Sequence, residues 1–155
     1  MVGDETGQKD LTRSGVVTYR LCNLGQISAT SISDPVFVRG FQWRIMITLR
    51  KLNNIIYMGF FLQCSGDPKN ASWSCYVKAS LLLKSQNPDI PSICKRITHL
   101  FHEKEPDWGF GNFKLWSEVI DPLNGFMKDG CVLLEAQIEA ETPPDLENGN
   151  ILNLY

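Results

Sequence analysis

The sequence predicts an all-β fold built as an antiparallel sandwich, on three observations. Apolar and polar residues alternate with a period of two along several stretches, the mark of strands with one buried face. Turn-forming clusters fall between them: Asp34-Pro35, Ser65-Gly66-Asp67-Pro68, Asn87-Pro88 and Asp129-Gly130. Helical periodicity is scarce. Several short strands at this spacing make a sandwich or a barrel.

Taken in order, Val17, Tyr19 and Leu21 alternate in an opening strand. Gln42 to Arg50 is the clearest strand, with Trp43, Ile45, Ile47 and Leu49 on one face and Arg44, Met46, Thr48 and Arg50 on the other. Met58 to Cys64 and Ser92 to His102 read as two more. Trp73 to Leu83 points Trp73, Cys75, Val77, Ala79, Leu81 and Leu83 inward. Leu115 to Ile120 reads as a short helical turn, ended by Asp121-Pro122 because a residue before proline is pushed out of the helical region. Cys131 to Ala140 sets Val132, Leu134, Ala136 and Ile138 against Glu135, Gln137 and Glu139. Residues 1–15 read as a disordered lead, 16–142 as one domain, and 143–155, opening on Pro143-Pro144-Asp145, as a linker.

At 155 residues the chain can bury one core, and 43% hydrophobic with 21% charged residues is the balance of a soluble folded domain. A net charge of −2 offers no basic footprint, so no nucleic-acid partner is expected. No apolar run approaches the roughly 20 residues of a membrane span. The acidic, polar start has no signal-peptide character. The cysteines, Cys22, Cys64, Cys75, Cys94 and Cys131, are odd in number, and no pair has a two-residue gap. With no secretion signal, they are expected to be free thiols in a reducing compartment, nucleus and cytoplasm. The sequon Asn70-Ala71-Ser72 is then expected to stay unmodified.

Catalysis finds little support. His99 and His102 are three apart on a strand and face opposite ways, which opposes a shared metal. No glycine-rich phosphate loop, no Gly-x-Ser-x-Gly and no protease signature around a cysteine is present, and the acids are scattered. No catalytic residue, metal or cofactor is therefore expected. Binding is a better prospect. If Phe60 and Leu62 face the core, Phe61 must face out beside bare Gly59, and Arg50 ends its strand on the outer face, a shallow groove in outline. The segment Glu105-Pro106-Asp107-Trp108-Gly109-Phe110-Gly111-Asn112-Phe113-Lys114-Leu115-Trp116 has no regular period. It reads as a loop with Phe110, Phe113 and Trp116 buried, and Asp107 and Trp108 presented at its head.

At that segment a family resemblance emerges. Trp108-Gly109-Phe110, then Phe113, then Gly125-Phe126-Met127-Lys128-Asp129-Gly130 resembles the MATH domain (meprin and TRAF homology). Phe37-Val38-Arg39, Trp43-Arg44-Ile45-Met46, Gly59 through Cys64, Ser72-Trp73-Ser74-Cys75, Arg96 through Phe101 and Trp116-Ser117-Glu118-Val119 extend the match over about Val17 to Thr142. These motifs are most similar to the MATH domains that precede the catalytic domain of ubiquitin-specific proteases. The resemblance implies an eight-stranded antiparallel sandwich, a monomer that recognises substrates for a deubiquitinase. Its implied partners are extended Pro/Ala/Glu-x-x-Ser peptides. It implies Arg50, Phe61, Lys95, Asp107, Trp108, Gly109, Phe110 and Asn112 as the peptide-binding residues, with Asp107 accepting from the ligand serine and Arg50 near it. The chain departs from the pattern at Lys95, where the family has arginine, at Gly111, where it has serine, and at Pro106, where it has asparagine. A MATH adaptor of a ubiquitin ligase or a TRAF-like scaffold is the alternative; no heptad run precedes the sandwich to form a trimer stalk. An extracellular sandwich such as a lectin is disfavoured by the absent signal and the odd cysteine count.

Overall fold

Alternation along the chain becomes two facing sheets because each apolar face must find a partner away from water. A computed structural model describes residues 13–26 and 29–141; the expected linker and residues 1–12 of the expected lead lie outside them. The first strand, β1 (Ser14–Leu21), begins two residues inside that lead. The rest follow as β2 (Thr30–Ile32), β3 (Val36–Val38), β4 (Phe41–Leu52), β5 (Ile55–Cys64), β6 (Ser74–Lys84), β7 (Ile93–His102), β8 (Asp107–Leu115), the short helix α1 (Trp116–Val119), β9 (Met127–Lys128) and β10 (Cys131–Glu141). One sheet runs β1-β10-β6-β7 with β9 on β10; the other runs β2-β4-β5-β8 with β3 on β4. All pairings are antiparallel.

Ten strands among the described residues replace the expected eight. Three of the ten, β2, β3 and β9, hold only two or three residues, too few to show alternation. The inward faces are as the sequence divides them. Trp43, Ile45 and Ile47 of β4, Val77, Leu81 and Leu83 of β6, and Val132, Leu134, Ala136 and Ile138 of β10 are buried. Each large apolar side chain so buried is worth about 1.5–3 kcal/mol. Among the described residues no buried side-chain nitrogen or oxygen lacks a partner: Trp43 Nε1 donates to the Val38 carbonyl at 2.9 Å, and Ser33 Oγ accepts the Ile45 amide at 2.9 Å just past the end of β2. Asn53 and Asn54, both at positive φ (51° and 66°), make the two-residue turn that carries β4 directly into β5, longer strands than the alternation alone marks out. Asp129 and Gly130 (55° and 76°) do the same between β9 and β10.

Two expectations are overturned. The segment from Asp107 is not a loop but β8, paired with β5. Its alternation is masked by two glycines and by a β-bulge opposite Met58 to Phe60, which shifts the inward set from Phe110 to Phe113. And the cysteines are not all free: Cys22 and Cys131 form a disulfide across 109 residues of sequence. They are the next pair beyond Leu21–Val132 on the β1–β10 ladder, with Cα atoms 4.2 Å apart. Local spacing could not register a pair made by topology. The pairing also withdraws the cysteine count as support for a reducing compartment.

Candidate functional site

The sequence candidates gather at one edge of the sandwich, where β7 and β8 part company after a tight turn and enter different sheets. In that turn the amides of His102 and Glu105 each donate to the other's carbonyl, at 3.4 and 3.0 Å. β8 is the edge strand of its sheet among the described residues. The Cys64 amide donates to the Pro106 carbonyl at 2.8 Å, so Pro106 and then, by antiparallel alternation, Trp108 and Phe110 turn their backbone groups toward β5. Asp107 and Gly109 turn theirs to the open side, while the bulge brings the Gly111 carbonyl oxygen over Gly59 of β5.

Side chains alternate in the other sense. Gln63 pairs Asp107 and Phe61 pairs Gly109, so these lie on the outer face; Leu62, fully buried, pairs Trp108, which therefore points to the inner side and overhangs the edge. There its indole stacks on the His99 ring at 4.0 Å between centroids and 8° between planes, with Trp108 itself 41% exposed. His99 in turn packs edge-on to Phe101, and Phe101 to Trp43, so a file of rings runs from the core to the surface. Its Nε2 lies 3.1 Å from the Glu105 carbonyl. Sequence reasoning weighed His99 as a metal ligand and as the histidine of a Cys–His dyad. Its place on one face with Ile97 and Phe101, both buried, was the signal that it packs inward.

On the outer face Phe61 is half-buried, as expected, but Gly59 is not bare: a Cβ there would meet Thr48 Oγ1 and, at 2.9 Å, the Phe61 ring. A cavity of about 410 Å3 lies against Phe61, Pro106, Asp107, Trp108 and Gly109, and so reaches both sides of the edge. Gly109 owes its identity to packing. A Cβ there would meet the Phe60 carbonyl oxygen and, at 2.7 Å, the Phe61 Cα, neither of which can swing aside. Gly109→Ala is expected to break the β5–β8 ladder at its centre and cost about 3 kcal/mol of stability, read as the midpoint shift in urea unfolding.

Arg50 is exposed and donates through Nη2 to Asn112 Oδ1 at 2.8 Å, passing over Gly111, where a Cβ would come within 3.3 Å of the same nitrogen. The missing serine side chain at Gly111 makes that room. Arg50 is thus held at Asn112, five residues along β8 from Asp107, instead of beside it. Lys95 pairs buried Leu81 and points inward; its ammonium donates to the Phe113 carbonyl at 2.8 Å and lies over the Phe113 and Phe110 rings, 4.7 and 5.4 Å from their centroids. The structure therefore brings Phe61, Asp107, Trp108 and Gly109 to one cavity, places Arg50 and Asn112 at the far end of the strand, and gives Lys95 and Phe110 partners within the chain.

Burial pushes the Cys64 thiol up to about 12 and the Cys75 thiol up to about 11, so both stay protonated near neutrality. His102 pairs with Glu105 Oε1 at 3.2 Å, facing away from His99. Among the described residues no three metal-ligating side chains cluster. A larger depression, about 510 Å3, lies on the outer face of the other sheet between Lys78, Ser80, Arg96, Thr98, Gln137 and Glu139, and holds none of the sequence candidates.

Comparison with known proteins agrees with this architecture. The MATH domain model matches residues 17–138, from within β1 to within β10. Ubiquitin carboxyl-terminal hydrolase 7 of Drosophila melanogaster is 34% identical over 143 residues, covering 92% of this chain and 12% of that protein. The protein of the same name from Caenorhabditis briggsae is 36% identical over 127 residues, covering 72% of this chain and 11% of its own length. BTB and MATH domain-containing protein 38 of Caenorhabditis elegans is 19% identical over 127 residues, 80% of this chain and 32% of its own. The chain spans about an eighth of the hydrolases it resembles. With the family model matched across both sheets and the Trp-Gly-Phe stretch on their shared edge, this chain belongs to the MATH domain family.

Proposed function

We propose that this domain recognises extended Pro/Ala/Glu-x-x-Ser peptides by adding them as a strand along β8, and that it selects substrates for a deubiquitinase. The observation that carries the proposal is the opposition of two neighbours on the edge: Trp108 lies to the inner side and Asp107 to the outer. Residues three apart in an extended peptide also point to opposite sides. A proline or alanine can therefore pack on the exposed part of Trp108 while the serine donates to Asp107. Backbone groups of Asp107 and Gly109 supply the ladder, and Phe61 lines the outer floor. So few anchors suit micromolar affinity, on the order of −7 to −8 kcal/mol.

Spacing tests it. A Pro-x-x-Ser peptide is expected to bind about tenfold or more tightly than Pro-x-Ser or Pro-x-x-x-Ser peptides, which put both side chains on one side. Equal affinity across the three in isothermal titration would refute the assignment. The role in a deubiquitinase draws on the two hydrolases at 34% and 36% identity; an adaptor role draws on the lower 19% to the BTB and MATH protein. The domain by itself is proposed to be a binding module: with Cys64 and Cys75 buried and protonated, it should release no fluorophore from a ubiquitin conjugate. Thiol-dependent turnover by the purified chain would contradict that.

A further inference from the structure

We infer that Lys95 sets the length of peptide the edge accepts, by closing β8 at Phe113; this rests on the proposed docking along β8. The open side of β8 is defined by backbone direction. Asp107 and Gly109 face it, as derived from the Cys64–Pro106 hydrogen bond, and at the bulge the Gly111 carbonyl oxygen lies over Gly59 instead. Past the bulge, Lys114 pairs Met58 and turns toward β5, so Phe113 again turns its amide and carbonyl to the open side. That carbonyl is already taken: Lys95 Nζ, reaching over from β7, donates to it at 2.8 Å and is held there by the two phenylalanine rings. At the other end, the Glu105 carbonyl is taken by His99 Nε2 at 3.1 Å and by the His102 amide.

β7 therefore covers its neighbour's edge at both ends. Between the two closures, at Glu105 and Phe113, Asp107 and Gly109 keep their outward backbone groups unclaimed by any side chain of β7 among the described residues. A four-residue Pro-x-x-Ser core fits that window, and a longer strand meets a lysine where it needs a carbonyl. A charged side chain turned inward across an edge is a common way to stop strand addition. Here it leaves a short opening instead of none.

The experiment is a length series: a Pro-x-x-Ser peptide extended by one to four alanines at either end, titrated against the wild-type domain and against Lys95→Met, which keeps the stem over the rings and removes the donor. For the wild type, affinity is expected to level off once the window is filled. For Lys95→Met, additions at the end lying toward Phe113 are expected to tighten binding about fivefold, the gain of roughly one backbone hydrogen bond. Additions at the other end should gain nothing. Amide exchange of the wild-type complex with the longest peptide gives a second measure that needs no variant: protection should cover Asp107 and Gly109 and stop before Phe113. Protection reaching the Phe113 amide, or the same length profile in both proteins, overturns the role of Lys95 while leaving the docking site standing. Failure of every peptide to bind removes the site and this role with it.

Discussion

Replacing Trp108 by alanine is expected to weaken binding of a Pro-x-x-Ser peptide by at least about 2 kcal/mol, roughly thirtyfold, while the domain remains folded. The ring is 41% exposed and overhangs the cavity that also touches Phe61 and Asp107, so a small apolar residue of the ligand can cover it. Stability is not untouched. The other face of the indole lies flat on His99, which itself leans on Phe101 and the core. Losing that stack and the buried part of the ring should cost about 1–2 kcal/mol, a melting shift of about 3–8 °C for a domain of this size. Trp108→Phe separates the two effects, because a smaller ring still rests on His99 and should restore most of the melting temperature with only part of the affinity. Unchanged peptide affinity in Trp108→Ala would remove Trp108 as the anchor. A collapse of the fold in Trp108→Ala, not rescued by phenylalanine, would assign it to the core.

Phosphorylating the ligand serine is expected to weaken binding by about 2 kcal/mol or more at physiological salt. The modification exchanges a donor for a group of charge about −1.5 to −2, set against the Asp107 carboxylate. Unit charges a few ångströms apart near a protein surface interact by about 1–4 kcal/mol, which sets the scale. Arg50 is held by Asn112 and lies over Gly111 at the far end of the window, instead of beside Asp107; Lys104, which lines the same cavity as Asp107 together with Glu105, offsets only part of the repulsion. Two comparisons isolate the charge. The loss should shrink in Asp107→Asn, which keeps the shape without the charge, and it should shrink in high salt, where the screening length falls from about 8 Å to about 3 Å. Phosphopeptide binding equal to or tighter than the plain peptide in the unmodified domain would mean that Asp107 does not face the serine.

Much of the fold was legible in the residues. Trp43, Ile45 and Ile47, or Val132, Leu134, Ala136 and Ile138, declare both strand and face, because a period of two has one structural solution when half of it must be dry. Phe61 emerged by the same logic, as the odd aromatic between two buried ones. Leu115 to Ile120 held as one short helical turn, Trp116–Val119. The candidate site was less legible. β8 contains Gly109 and Gly111 where apolar or polar marks would stand, and its bulge breaks the period, so a strand looked like a loop.

By itself, the sequence determined the dry faces of the long alternating strands, four of the turns, and, through the Trp-Gly-Phe stretch and its companions, the family. Those properties are local: alternation, turn chemistry and short motifs depend on residues a few positions apart. Tertiary structure decided which strand lies beside which. It closed Cys22 on Cys131 across 109 residues, left β8 at an edge, and slid His99 beneath Trp108. It also turned Lys95 from an expected ligand contact into a donor to Phe113, since only the approach of β7 to β8 puts an inward ammonium within 2.8 Å of a carbonyl 18 residues away. Pairing of distant strands is chosen by the joint burial of both sheets, a sum over the whole chain that no single segment carries.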